Sequence, residues 1–220
     1  MTRIITIERE YGSGAAAIAR KLAERLAWTL WDRDITCDIA RRLKCKVEAV
    51  EKREERPDPA FYRLVKAFMR GSYEDSMAAG NVELLDAEHL AKLFEKVVND
   101  AASKGNCVIV GRGAPYFLRD RDDVFSVFMY APHHEKIRRI TEAQGKTVEE
   151  AEELVERVDR ERAAFVKKYF DRIWPQRDLY DMMINTRIGD DAVIEMVLHE
   201  IELLERLPIG ATAGARAHLL

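Results

Sequence analysis

Cysteine is scarce in this sequence, and the few cysteines form no recognisable pattern. The 220 residues include Cys37, Cys45 and Cys107, and no two of them make a C-x-x-C pair. A disulfide framework needs an even set of cysteines, and a structural zinc site needs ligands at short fixed spacings, so neither is indicated. Unpatterned cysteines are typical of a reducing compartment, and we expect a cytoplasmic protein.

Long hydrophobic runs and a strong excess of one charge are missing as well. The first residues, MTRIITIERE, contain no apolar segment of the kind that directs export, and no uncharged run approaches the length of a membrane span. With 36 basic and 39 acidic residues the net charge is −3, whereas nucleic-acid binding needs a concentrated basic surface. We therefore expect neither a membrane nor a nucleic acid as partner.

A two-to-one excess of arginine over lysine is hidden in that charge balance. The chain contains 24 arginines and 12 lysines. Arginine presents a planar fork of donors that matches phosphate and carboxylate groups. A coding bias explains the excess most simply, so the question is whether particular arginines lie where a phosphate would bind.

Short apolar runs alternate with segments of helical periodicity along the chain. Strands are predicted at 3–7, 29–31, 107–110, 124–130 and 182–184. Strands that alternate with helices predict an α/β fold with three layers and about five parallel strands, wound in right-handed units.

No linker or internal repeat divides the sequence, so a single domain is predicted over 1–207. Within it we expect a helical insertion at about 44–104 and a helical lid at about 145–178. The residues after it, 208–220, are rich in glycine and alanine and are expected to form a flexible tail.

A Gly-Ser-Gly turn at 12–14 follows the first strand and precedes a helix. The N–H groups and the positive dipole end of a helix N-terminus suit a phosphate. A P-loop reads G-x-x-x-x-G-K-[ST]. With Gly14 as its second glycine, Arg9 stands at the first glycine, Ala15 at the lysine and Ala16 at the hydroxyl residue. By itself the turn is consistent with a phosphate site or with a plain tight turn.

Four segments in order resemble the cytidylate-kinase-like family of P-loop nucleoside monophosphate kinases. They are ITIEREYGSGAAAIARKLAERL with the following LWDRDI, CVIVGRGAPYFL, VDRERAAFVKKYFDRIW and YDMMINTRIGDDAVIEMV. The resemblance spans about 3–200. Members typically carry an EYGSGG-type loop without the usual lysine, and here alanines at 15–17 replace the more polar residues commonly found after the glycines.

The resemblance implies a P-loop kinase fold and the transfer of a phosphoryl group from ATP, with Mg²⁺, to a nucleoside monophosphate, CMP being the implied acceptor. The loop residues Gly12, Ser13, Gly14 and Ala15 would bind the donor phosphates. Arg112, in the turn after a buried strand, would bind the acceptor phosphate, and Asp32 or Asp34 would read part of the acceptor. Capping a helix is an alternative role for either aspartate.

The predicted lid carries the candidate catalytic residues Asp159, Arg160 and Arg162. Successive residues of a helix are 100° apart, so Arg160 and Arg162 point roughly 200° apart and cannot both hold one small group from a straight helix. Glu8 is a candidate Mg²⁺ ligand through water, and pairing with Arg9 is the alternative.

Two other functions remain open on the sequence. The alanines at 15–17 favour a catalytically inactive module that binds a nucleotide or a phosphorylated metabolite and regulates a partner. The poorly diagnostic region at 44–104 also admits a kinase for a small molecule that is not a nucleotide. A homodimer is left open.

Overall fold

The computed structural model describes residues 1–32 and 87–206. These residues contain a sheet of five strands: β1 (Ile4–Arg9), β2 (Thr29–Trp31), β3 (Cys107–Val110), β4 (Val124–Tyr130) and β5 (Met182–Asn185). All neighbouring strands are parallel, and their order across the sheet is β2-β3-β1-β4-β5. The predicted α/β fold with about five parallel strands is therefore confirmed.

Helices of very different length connect the strands. They are α1 (Ala15–Leu26), α2 (Ala87–Ser103), α3 (Ala114–Phe117), α4 (His133–Gln144), α5 (Val148–Phe170) and α6 (Asp190–Arg206), with short 3₁₀ turns at Arg177–Leu179 and Thr186–Ile188. Gly145 separates α4 from α5, and Thr147 then caps α5 reciprocally with Glu150. Such a capping box satisfies N–H groups that would otherwise lack partners at the helix start.

The sheet is covered on both faces, which explains why its central strands are continuous apolar runs. One face packs against α1 and α6, with Ile18, Leu22 and Val193 among the buried residues. The other face packs against α2, α3 and the C-terminal part of α5, which contributes Phe165 and Val166. The C-terminal part of the predicted lid is thus integrated into the core.

The crevice is the space at the carboxyl end of the sheet between β1 and β3, where the connections that follow the two strands diverge. The chain leaves β1 toward the face covered by α1, and it leaves β3 toward the face covered by α3. In open parallel sheets, ligands bind where neighbouring connections diverge in this way. The glycine turn and the turn that contains Arg112 both lie at this edge of the sheet.

Several predictions concern residues outside those described. Most of the predicted insertion, the tail at 208–220 and Asp34 belong to this group. The last part of the predicted insertion is α2, which packs on the sheet through Phe94, Val97 and Val98. In the described ranges, no helix combines the length and apolarity needed to cross a membrane.

Candidate functional site

The glycine loop, residues 10–14, fits closely between β1 and α4. Gly12 and Gly14 have φ angles of +77° and +79°, in the left-handed region that glycine adopts without a steric penalty. A Cβ on Gly12 would lie 3.0 Å from the backbone oxygen of Lys136 in α4. Gly14 precedes α1, whose first N–H groups have no partner within the helix and are available to an anion.

Ala15 stands where a P-loop has its lysine, and its side chain belongs to the apolar core. It is 2% exposed and packs in the same cluster as Ile18 and Ala19. The Ser13 carbonyl, just before it, accepts hydrogen bonds from Arg139 of α4 and, at 2.6 Å, from the Thr186 hydroxyl. The conformation of the loop is therefore held by side chains from distant parts of the chain.

Asp159 of α5 anchors the other end of the glycine loop. Its Oδ1 accepts a hydrogen bond of 2.8 Å from the backbone N–H of Tyr11. Its Oδ2 lies 3.3 Å from Lys136 Nζ, which in turn lies 2.9 Å from a carboxylate oxygen of Glu10. Both oxygens of Asp159 are thus engaged by the protein, and the geometry gives this residue a positioning role.

The carboxyl group of Asp159 is unusually hard to ionise. Burial raises its pKa to about 6, against its ordinary value of 3.8; Arg162 and Lys136 oppose that shift, and Glu10 adds to it. Removal from water therefore outweighs the attraction of the two cations. The anchor of the loop changes its charge in mildly acidic solution.

The turn after β3 has an unusual backbone. Gly111, Arg112 and Gly113 have φ angles of +66°, +61° and +70°, so three consecutive residues are left-handed. Arginine rarely adopts this conformation, and such strain persists where the surrounding structure requires it, often at functional sites. Arg112 is 1% exposed, so its strained backbone serves to place a guanidinium inside the crevice.

Three buried arginines, Arg9, Arg112 and Arg162, converge on the crevice from β1, the turn after β3 and α5. Burial, together with the positive charge of Arg9, lowers the pKa of Arg112 and of Arg162 to about 10. Asp32 and Glu8 oppose these shifts by favouring the charged forms, and Asp159, whose Oδ1 lies 3.5 Å from Arg162 Nη1, opposes the shift of Arg162 more strongly. Arg112 and Arg162 stay charged at neutral pH, and together with Arg9 they attract an anion.

The two lid arginines lie on opposite sides of α5. Arg162 is buried, and its Nη1 donates a hydrogen bond of 2.8 Å to the backbone oxygen of Arg9. The Arg160 side chain is 72% exposed and pairs with Glu156 one turn earlier. The structure therefore brings Arg162 to the crevice and leaves Arg160 outside it, which corrects the expectation that either could act there.

Glu8 and Asp32 are carboxylates that favour the charged forms of both Arg112 and Arg162. Both are buried, and Glu8 Oε1 accepts a hydrogen bond from the backbone N–H of Arg9 and lies 3.9 Å from its guanidinium. The expected alternative for Glu8, pairing with Arg9, is thus present. Mg²⁺ is usually held by one or two carboxylates together with substrate phosphates, and this donor set fits that pattern.

The sequence reasoning did not identify Lys136, Arg139 and Thr186 as parts of the site. Lys136 and Arg139 lie one turn apart on α4, which follows β4 at the same edge of the sheet. That spacing, after a predicted strand, was a usable signal. On the sequence, Arg9 stands at the first-glycine position and is a possible partner of Glu8, and its burial in the crevice follows from the fold.

Comparison with known proteins gives a family and a fold for this chain. Residues 4–188 match the model of the cytidylate kinase-like family. No match was found among curated proteins.

Solved structures with the same fold are distant in sequence. An uncharacterized protein from Eubacterium ventriosum has a TM-score of 0.63 at 20% identity, covering 91% of this chain and 99% of that one. A shikimate kinase from Acinetobacter baumannii, in complex with shikimate, has a TM-score of 0.52 at 18% identity, covering 94% and 96%. Shikimate kinase from Bacteroides thetaiotaomicron has a TM-score of 0.51 at 16% identity, covering 91% of this chain and 98% of that one.

These structures show the fold alone, while the family model spans most of the chain. Family and fold together support a phosphotransferase of the P-loop type, a class that uses a nucleotide and usually Mg²⁺. The chain belongs to the cytidylate kinase-like family.

Proposed function

We propose that this protein transfers the γ-phosphoryl group of ATP to a nucleoside monophosphate, with CMP as the first candidate acceptor. The observation that carries the proposal is the convergence of Arg9, Arg112 and Arg162, all buried, beside the glycine loop. Phosphoryl transfer needs little covalent chemistry from the protein. It needs two phosphates held in line and the charge between them stabilised.

The donor phosphates would bind at the start of α1. The loop 12–14 and the first N–H groups of α1, including that of Ala15, would hold them, and Ser13 contributes through its backbone. Asp159, Lys136 and the hydrogen bonds to the Ser13 carbonyl would keep the loop in shape before the nucleotide arrives. A preformed arrangement of this kind avoids reorganisation at the moment of reaction.

The acceptor phosphate would bind to Arg112. Asp32, close enough to favour the charged form of Arg112, would orient that arginine or accept a hydrogen bond from the acceptor. An oxygen of the acceptor phosphate forms the new bond to the γ-phosphorus. The bond from that phosphorus to the bridging oxygen of ATP breaks, and ADP leaves with the electron pair. Arg162 would stabilise the transferring group, and α5 would exclude water from it.

Mg²⁺, when bound, would screen the charge of the donor phosphates. Glu8 and Asp32 would hold it, directly or through water. What the chain provides for this role is the position of two buried carboxylates among the buried arginines.

A coupled assay for ADP release with CMP, UMP, dCMP, AMP and shikimate as acceptors tests this function. We expect turnover with a nucleoside monophosphate and a large loss in Arg112→Ala. Unchanged turnover in Arg112→Ala would show that the proposed site is wrong. Turnover with shikimate alone would indicate an acceptor that is not a nucleotide, the ligand that the Acinetobacter baumannii structure contains.

A second candidate function is a catalytically inactive nucleotide-binding regulatory module. The specific observation in its favour is that Ala15 lies in the apolar core, where a P-loop carries its charged lysine. Calorimetry with ATP, with and without Mg²⁺, separates the two functions. Tight binding without turnover on any acceptor of the panel would support the module.

A further inference from the structure

We propose that Arg9 supplies the positive charge that the glycine loop lacks at Ala15, by binding the phosphoryl group that lies between donor and acceptor. This inference rests on the proposed function, because it assigns Arg9 to the γ-phosphate of ATP in that site.

The Arg9 side chain lies in the crevice between β1 and β3. Arg9 is the last residue of β1, and its guanidinium passes directly over Gly111. A Cβ on Gly111 would overlap Arg9 Nη1, so only glycine leaves the guanidinium in this place. The turn after β3 is therefore shaped to admit Arg9 as well as to present Arg112.

One end of this guanidinium lacks a partner. Arg9 is 4% exposed, and its Nη2 makes no hydrogen bond within the part of the chain that the structure describes. Glu8 lies 3.9 Å from Nη1, too far for a hydrogen bond. A buried donor without a partner is costly, and a charged donor more so, which indicates that an anion completes the site.

The neighbours of Arg9 place that anion at the reaction centre. Arg112, the proposed acceptor ligand, and Arg162, the proposed lid residue, both lie within electrostatic range of Arg9. Arg162 also donates to the backbone oxygen of Arg9, which fixes the two residues to each other. A phosphoryl group between the donor loop and Arg112 would present its oxygens to all three guanidinium groups.

Arg9→Met and Arg9→Lys test this proposal, with Arg160→Met as the matched control that removes an exposed arginine. Calorimetric titration with ATP, ADP, AMP and pyrophosphate measures binding without any need for turnover. We expect Arg9→Met to weaken ATP binding roughly 10- to 100-fold, the loss of one charged hydrogen-bonding group, and AMP binding much less. Arg9→Lys keeps a charge, so its ATP affinity should lie between those of Arg9→Met and the wild type. The ATP affinity of Arg160→Met should match that of the wild type.

The thermal unfolding midpoint separates this role from a structural one. Arg9→Met removes a buried donor that has no partner and the repulsion that Arg9 exerts on Arg112 and Arg162, but it also leaves Glu8 without its ion-pair partner. We therefore expect Arg9→Met to unfold close to the wild-type temperature while ATP binding falls. Wild-type ATP affinity in a destabilised Arg9→Met would overturn the proposal, and so would a wild type that binds neither ATP nor pyrophosphate.

Gly111→Ala gives an independent test if Arg9→Met does not fold. Gly145→Ala is its control, because Gly145 has a similar φ of +63° and nothing within 4 Å of an added Cβ. Both changes strain the backbone, and only Gly111→Ala displaces the Arg9 guanidinium. Weaker ATP binding in Gly111→Ala alone supports the proposal, and equal binding in both contradicts it.

Failure of the inference and failure of the proposed function give different results. If the wild type phosphorylates CMP and Arg9→Met keeps the wild-type KM for ATP, the function stands and the role of Arg9 is wrong. If no acceptor is phosphorylated and Arg9→Met loses ATP binding, the role of Arg9 stands and the proposed transfer to a nucleoside monophosphate is wrong.

Discussion

The two halves of the crevice differ in where their charge lies. The donor half, at 10–16, offers backbone N–H groups and has no lysine or arginine of its own. The acceptor half, at 111–113, carries a buried arginine on a strained backbone. The donor half is held by Asp159, Arg139 and Thr186, which come from elements far along the chain. The acceptor half carries its cation, Arg112, within its own three residues. The two halves therefore obtain their positive charge differently. The cations near the donor half belong to other elements of the chain, whereas the acceptor half contains its own arginine.

Substitutions of Arg112, in the acceptor half, should have the largest effect on activity. Arg112→Ala should lower kcat/KM for the acceptor by roughly 10²- to 10³-fold, the usual effect of removing one charge-stabilising donor. Arg112→Gly should lose as much activity but be about 1 kcal/mol more stable than Arg112→Ala, because glycine relieves the strain at φ +61°. Steady-state kinetics and denaturant unfolding check both, and equal ATP affinity in all three proteins would confine the effect to the acceptor half.

The anchor of the donor half should make stability depend on pH. The pKa of Asp159 in the folded protein, about 6, lies above its ordinary value of 3.8. The protonated side chain therefore contributes to the free energy of unfolding, and this contribution is fully present below about pH 4 and is lost as the pH rises through 6. The stability of the wild type relative to Asp159→Asn should fall by on the order of 3 kcal/mol between pH 4 and 7. Denaturant titrations of both proteins measure the difference, and a flat difference would contradict the burial argument.

The two arginines of α5 give the next prediction. Arg162→Met should reduce kcat by roughly 10- to 100-fold because it removes a buried guanidinium from the crevice. Arg160→Met should stay within about twofold of the wild type, since exposed ion pairs contribute little. Comparable losses in the two variants would show that α5 presents a different face to the substrate.

The smallest expected effect tests how tightly the donor loop fits. Gly12→Ala should destabilise the protein by about 1–2 kcal/mol more than Gly145→Ala. Both residues are left-handed, but only at Gly12 does an added Cβ meet the backbone of α4. Thermal unfolding of the two variants isolates that contact, and equal midpoints would mean that the loop can shift to make room.

The sheet and the place of Arg112 were readable from the sequence because both depend on local patterns. Continuous apolar runs predict strands covered on both faces, and a Gly-Arg-Gly turn directly after such a run predicts an arginine at the edge of the sheet. The 100° spacing of helical residues also indicated that only one of Arg160 and Arg162 faces the crevice. It could not indicate which one, because that choice depends on how α5 packs.

The network around the donor loop was harder to predict. The spacing of Lys136 and Arg139 places both on one side of α4, but the sequence of this highly charged helix does not show that this side, rather than another, packs on the loop. Asp159 was predicted to be catalytic, and the structure gives both of its oxygens to the protein. Some of these contacts join residues that are more than a hundred positions apart in the sequence. Such contacts form only when the folded sheet brings the two residues together.

The hydrogen bond from Arg162 to the backbone oxygen of Arg9 has a consequence for kinetics. Together with the bond from Tyr11 to Asp159, it fastens α5 to the end of β1 over the crevice. We expect a ligand to reach the buried arginines only after these bonds open. The observed association rate should therefore stop rising at high ligand concentration, and stopped-flow measurements would report the opening rate of α5 rather than the frequency of encounters.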